Sequence, residues 1–115
     1  MATETNPSEA ELIYDWNVQG DQLSPPMRRP EIVDETLRDG IQCPSVTDPP
    51  IEAKERILHL LDSVGVDHVD IGLPGAGQRA VDDCLILATY MRDNKLRMKP
   101  QCAARTHPKD IQPIL

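Results

Sequence analysis

Apolar residues recur along this chain in two alternating rhythms, and that alternation predicts its architecture. A short run after Pro30, Glu31-Ile32-Val33-Asp34-Glu35, reads as a first strand. From Ile51 the apolar positions Ile57, Leu58, Leu61 and Val64 return at helical spacing, with Asp48 ahead of Pro49 and Pro50 as the cap and Gly65 as the stop. Val66-Asp67-His68-Val69-Asp70-Ile71-Gly72 alternates apolar and polar side chains as a second strand. Ala80, Val81, Cys84, Leu85, Leu87, Ala88 and Met91 then build a second helix ending near Asn94. Leu96 to Arg105 reads as a third strand, although Pro100 removes one ladder donor, and His107-Pro108-Lys109-Asp110 opens a third helix. Strand, helix, strand, helix, strand with short connections predicts a parallel α/β sheet. A barrel and an open doubly wound sheet both satisfy that order.

Residues 1–29 break the rhythm. Pro7, Gly20, Pro25 and Pro26 punctuate a polar stretch whose apolar residues gather at Leu12-Ile13-Tyr14 and Trp16, so an extended leader anchored by its two aromatics is expected ahead of a domain over residues 30–115. The 115 residues suffice for one modest core. Twelve Lys+Arg against 19 Asp+Glu give a formal net charge of −7, and no basic stripe offers phosphate contacts, which argues against nucleic-acid and anionic-membrane partners. No apolar run reaches the length of a bilayer span, and Met1-Ala2-Thr3-Glu4-Thr5-Asn6 has neither the basic nor the apolar region of a signal peptide, so the cytoplasm is the expected location. Cys43, Cys84 and Cys102 form no Cys-x-x-Cys pair and are odd in number; they read as reduced thiols, Cys84 as a small core residue.

Candidate chemistry gathers where the first strand turns. Asp39 is a hard oxygen ligand suited to Mg²⁺, Mn²⁺ or Zn²⁺, though one carboxylate does not define a metal site. Its neighbour Arg38 carries a permanent guanidinium, which stabilises developing negative charge on an oxygen without exchanging protons; the alternative is a structural pair with Asp34 or Glu35. Ligands of parallel α/β folds bind at the carboxyl ends of the strands, which places Arg38, Asp39, Gln42, Asp70 and Arg105 on one rim. Arg105 is suited either to a substrate carboxylate or to a structural salt bridge. The turn Gly72-Leu73-Pro74-Gly75-Ala76-Gly77 lacks both the Gly-x-Gly-x-x-Gly spacing and a Gly-Lys-Ser/Thr ending, so a nucleotide loop is not expected there. His59 and His68 read as a helix residue and a residue at the entering end of a strand, and His107 as a loop residue.

The nine residues Asp34 to Gln42, with the spacing Asp-x-Thr-Leu-Arg-Asp-Gly-x-Gln, resemble the first-strand signature of the DRE-TIM metallolyase superfamily. Its members include isopropylmalate, homocitrate and citramalate synthases, hydroxymethylglutaryl-CoA lyase and the carboxyltransferase domains of biotin enzymes. The resemblance extends from about Glu31 to Leu115 and implies the first βαβαβ units of a (β/α)₈ TIM barrel, a fold of about 250 residues. It further implies a catalytic role for Arg38, a metal-ligand role for Asp39 and substrate contact by Gln42. The family completes its divalent-metal site with two histidines of a later His-x-His strand, a pair that His59, His68 and His107 do not form. Many relatives carry Glu-x-Gly-x-Pro where this chain has Asp70-Ile71-Gly72-Leu73-Pro74, so Asp70, expected to contact substrate, presents its carboxylate one methylene shorter. The implied activity is condensation of acetyl-CoA with an α-keto acid by a homodimeric 2-isopropylmalate synthase-like acyltransferase when full length. The alternatives are a lyase or carboxyltransferase of the same superfamily, or a non-catalytic fragment that pairs through uncovered sheet edges.

Overall fold

The computed structural model describes residues 28–115, of which Glu31–Leu115 form one compact unit. The aromatic anchors Tyr14 and Trp16 lie outside the described residues. The elements are β1 (Val33–Asp34), α1 (Ile51–Val64), β2 (His68–Asp70), α2 (Gln78–Asp93), β3 (Lys99–Gln101) and α3 (Pro108–Ile111), with single 3₁₀ turns at Gly40–Gln42, Pro74–Ala76 and Gln112–Ile114. Among the described residues the strands make one open sheet in the order β1-β2-β3, both pairings parallel, with Val33 opposite His68 and Val69 opposite Pro100. This is an α/β unit of consecutive βα repeats, consistent with part of a TIM barrel.

Helix α1 runs between the limits its periodicity predicts. Gly65 ends it with φ at 87°, a left-handed conformation that glycine adopts without a Cβ clash. Its start differs from expectation: Pro50 occupies the cap position, no side chain caps the helix, and the Asp48 carboxylate turns to Lys54 and Arg79 instead. Two cations outcompete backbone amides for that carboxylate, because charge-assisted bonds are about twice as strong as neutral ones.

The strands are shorter than the alternation suggests, because a ladder needs a partner in register and not merely an extended chain. Beyond the ladders the pairing survives as single bonds: the Ile32 carbonyl accepts from the amides of Asp67 and His68 at 3.0 and 3.0 Å, and the Ala103 amide donates to Gly72 O at 3.0 Å. Pro100 is accommodated within β3, at the end of the strand order.

Leu37, Leu58, Val69 and Leu87 are almost completely buried, one each from the turn after β1, α1, β2 and α2, with Ile71, Cys84, Met91 and Met98 beside them. Each such leucine contributes about 1.5–3 kcal/mol of burial free energy, which clamps both helices to the strands. The clamp fixes the strand ends and therefore the loops that carry the polar residues. No described helix is long and apolar enough to cross a membrane.

Candidate functional site

The turn after β1 is built around one acceptor. The Glu35 carbonyl receives the amides of Arg38, Asp39 and Gly40 at 3.1, 2.8 and 3.1 Å, while the Asp34 carboxylate receives the Thr36 amide at 2.9 Å and its hydroxyl at 3.0 Å. Asp34 thus steadies the strand end, the role its position suggests. It does not reach Arg38.

Arg38 meets three other carboxylates, among them Glu35, so the structural pair with Glu35 that the sequence left open is formed. Its Nε donates to Asp70 Oδ2 at 3.3 Å, Nη1 to Asp39 Oδ1 at 3.0 Å, and Nη2 to Glu35 Oε2. Asp70 is buried at the end of β2, with its other oxygen accepting the Gly72 amide at 3.1 Å. A guanidinium has five N–H groups, and three single bonds leave one N–H on each terminal nitrogen. A guanidinium can give such N–H groups to a carboxylate or carbonyl oxygen. One cation against three carboxylates also leaves the cluster at a formal charge of −2, which favours an added cation.

A cavity of about 430 Å³ opens beside this turn, walled by Arg38, Gln42, Asp48, Lys54, Leu73 and Arg79 among others. Gln42 is exposed at its edge. Lys54, only 4% exposed, bonds Asp48 Oδ1 and Asp83 Oδ2, each at 2.8 Å, and Arg79 Nη2 takes the second Asp48 oxygen at 2.7 Å. Burial works against the Lys54 charge, but its bonds to Asp48 and Asp83 outweigh that cost and raise its pKa. Sequence reasoning did not single out Lys54. The signal was there: Lys54, Leu58 and Leu61 lie on one stripe of α1, so the only way to bury that face is to bury the charge with partners.

At the end of β3 the arrangement differs. Arg105 gives Nε and Nη2 to the two oxygens of Asp110 at 2.6 and 3.0 Å, and its amide donates to Asp110 Oδ2 at 3.3 Å. Of the two roles open to Arg105, this geometry favours the structural salt bridge. His68, at the entering end of β2, bonds Glu31 and Gln101, away from the β1 turn. His107 uses its ring nitrogen to accept the Lys109 amide at 3.2 Å and cap α3.

Cys84 packs in the core as expected, a free thiol whose Sγ donates to the Ile71 carbonyl at 3.5 Å, and hydrogen bonding with the neighbouring Cys102 thiol together with burial pushes its pKa up. Cys43 is exposed, with its pKa lowered by hydrogen bonds from Ser45, the Oγ at 3.4 Å. A metal test is plain: among the described residues no group of three His, Cys, Asp or Glu side chains converges to hold an ion. Asp39 stands as a single exposed carboxylate, and this segment alone does not fit a divalent metal.

Parallel βα repeats with a charged rim at the strand ends are consistent with a segment of the (β/α)-barrel class. Within that class the chain belongs to the HMGL-like family, which it matches over residues 29–113, and so to the DRE-TIM superfamily. It is 36% identical to the homocitrate synthase AksA of Methanopyrus kandleri over 73% of this chain and 20% of that protein. It is 49% identical to the 2-isopropylmalate synthase of Bradyrhizobium diazoefficiens over 70% of this chain and 14% of the relative, and 44% identical to a probable 2-isopropylmalate synthase of Archaeoglobus fulgidus over 47% and 10%. The chain thus spans a fifth or less of the length of these relatives. No solved structure matches it.

Proposed function

We propose that residues 30–115 supply the first βα units and part of the active-site rim of a (β/α)₈ acyltransferase that condenses acetyl-CoA with an α-keto acid, in the manner of 2-isopropylmalate synthases. In this reading Arg38 binds the keto acid with its two remaining N–H groups and stabilises the charge that grows on the keto oxygen. Asp70, Glu35 and Asp39 each hold one nitrogen of the guanidinium, so the side chain is oriented before substrate arrives and little reorganisation accompanies reaction. Gln42 contacts substrate from the cavity edge. Asp39 contributes one oxygen to a divalent-metal site whose other ligands come from outside this segment; a bound metal would polarise the keto acid and balance the acidic cluster. The complete enzyme is taken as a cytoplasmic homodimer, with residues 1–29 as a leader.

The observation that carries this reading is the three-point suspension of Arg38 beside Asp39, with one N–H left over on each terminal nitrogen. The relatives' names favour a synthase over a lyase or carboxyltransferase. In the complete enzyme containing this segment, thiol release from acetyl-CoA should depend on an added α-keto acid, and Arg38→Lys should reduce that turnover about 10²–10³-fold, the usual cost of removing an oxyanion donor. Near-normal turnover in Arg38→Lys would remove Arg38 from the chemistry, and thiol release indifferent to keto acid would remove the synthase.

A further inference from the structure

We infer that Cys84 and Cys102 form a redox site, a pair of thiols that hydrogen peroxide closes to a disulfide joining α2 to the end of β3. Both lean on the same two residues after β2. From α2, the Cys84 Sγ donates to the Ile71 carbonyl at 3.5 Å and lies 2.7 Å from the point where a Cβ on Gly72 would stand. From the third strand, Cys102 sits between two backbone bonds to that same dipeptide. The Gln101 carbonyl accepts the Ile71 amide at 2.9 Å, and the Ala103 amide donates to the Gly72 carbonyl at 3.0 Å. Asp70 stands opposite Gln101, so the register sets Cys102 beside Ile71 and on the same face of the sheet. That face meets the helices: Val69 and Ile71 share the buried cluster with Cys84, and Cys102 packs against it.

The two thiols are not equivalent. Hydrogen bonding from Cys84 favours the Cys102 thiolate and lowers its pKa against burial and the Asp70 charge, whereas the Cys84 thiol is pushed up. Cys102 is therefore the nucleophile. Its sulfur attacks one oxygen of hydrogen peroxide, the O–O bond breaks, and the departing hydroxide takes up a proton to leave as water, so that Cys102 becomes a sulfenic acid. The Cys84 sulfur then attacks the Cys102 sulfur, the S–O bond breaks, and a second water leaves with the Cys84 proton. Two thiols have lost two electrons and two protons, and one peroxide has become two waters. Closing a thiol contact to a bond of about 2.05 Å requires one sulfur to advance. Cys102 has the room, because it lies past the last residue of β3 with Gln101 and Ala104 exposed around it. Cys43, by contrast, has Ser45 against its sulfur in place of a second thiol. The inference is independent of the proposed acyltransferase reading.

The test treats the intact native protein with hydrogen peroxide, alkylates it in denaturant and cuts it with trypsin without reduction. Arg92, Lys95 and Arg97 lie between the two cysteines, so trypsin parts them unless they are linked. The expected product joins residues 80–92 to residues 98–105, comes apart on reduction and forms equally in Cys43→Ser. In protein oxidised after unfolding, links through Cys43 should compete with it, because no fold then selects the partner. Closing the loop from residue 84 to residue 102 should also raise the melting temperature, a shift that dithiothreitol reverses. In Cys84→Ala a cyclic 1,3-dione should label the stranded Cys102 sulfenic acid, and in Cys102→Ser the Cys84 thiol should stay free for alkylation after unfolding. Native protein whose Cys84 and Cys102 remain unlinked would overturn the inference, as would links through Cys43 in equal yield. Oxidation of Cys84 in Cys102→Ser would overturn the order of attack. The Cys102→Ser result stands even if Cys84→Ala fails to fold, since it alters a half-buried position at the end of a strand.

Discussion

Arg38 and Arg105 follow the first and third strands of the same sheet, yet their surroundings give them opposite characters. Arg38 is suspended among Glu35, Asp39 and Asp70, each taking a single bond, and 78% of its side-chain surface is covered. Arg105 is 75% exposed and spends the paired edge of its guanidinium on one carboxylate, Asp110, which is 2% exposed. In the first case three carboxylates each hold one nitrogen of the cation, and in the proposed function its remaining N–H groups take the ligand. In the second the fork is consumed, and the cation serves the buried carboxylate. A sequence shows two arginines at strand ends; the distribution of acceptors around them decides which is equipped to bind.

The sharpest way to break this contrast is to shorten the donor set at both places in the proposed acyltransferase. Arg38→Lys should lower turnover about 10²–10³-fold, because a single ammonium cannot hold three carboxylates and still present two parallel N–H groups. Arg105→Lys should stay within about tenfold of the parent, since its loss acts through the α3 turn. Equal losses in the two variants, read as keto-acid-dependent thiol release, would show that both arginines touch substrate and would return Arg105 to the rim.

A smaller effect is expected from Gly75, which belongs to the Arg105 side alone. A Cβ built there would lie 2.7 Å from Asp110 Cγ and 3.1 Å from Asp110 Cα, a contact that neither backbone nor buried carboxylate can relieve without moving. Gly75→Ala should destabilise the fold by about 1–3 kcal/mol, the usual cost of overpacking, visible as a lower melting temperature. The same substitution at Gly40, where the nearest atom is the Thr36 methyl at 3.8 Å, has room for its methyl group and should show no such clash. A melting curve for Gly75→Ala that overlays the parent's would mean Asp110 is held loosely, and the contrast between the two arginines would lose its structural half.

The fold was readable where a local signal and a tertiary one agree. Helix α1 has helical periodicity and a glycine that ends it, so its span is legible, and the βαβαβ order follows from the alternation of periods. Strand limits were not legible, because whether Glu31 or Ile71 joins a ladder depends on the register of a partner 30 or more residues away. Asp48 reads locally as a helix cap, yet it pairs with Lys54 one turn into α1 and with Arg79, which only the packing of α1 against α2 brings to it. The turn sequence from Arg38 to Gln42 announces a polar rim. Which carboxylates suspend Arg38 was hidden, since Asp70 lies 32 positions on and reaches it through the pairing of β1 with β2.

The smallest predicted effect is electrostatic and tests whether Asp110 depends on Arg105 as the geometry implies. The guanidinium beside it holds the Asp110 carboxyl below the usual carboxylate range, against the opposing influence of burial. A depressed folded-state pKa means the folded protein favours the charged form more than the unfolded chain does. The stability this confers is fully present above the unfolded value of about 3.9 and is lost as pH falls through the lower folded value. Melting temperature followed from pH 7 downward should therefore show the parent above Asp110→Asn across the neutral range, the two curves converging only as the pH drops below about 4. Because Arg105 is largely solvated, the gap should amount to a few degrees at most, less than that for Gly75→Ala. A gap that persists unchanged through the acid range would show that Asp110 is valued for its shape and backbone bond. In that case Arg105, released from its role as a counter-ion, would again be a candidate for binding an anion at the rim.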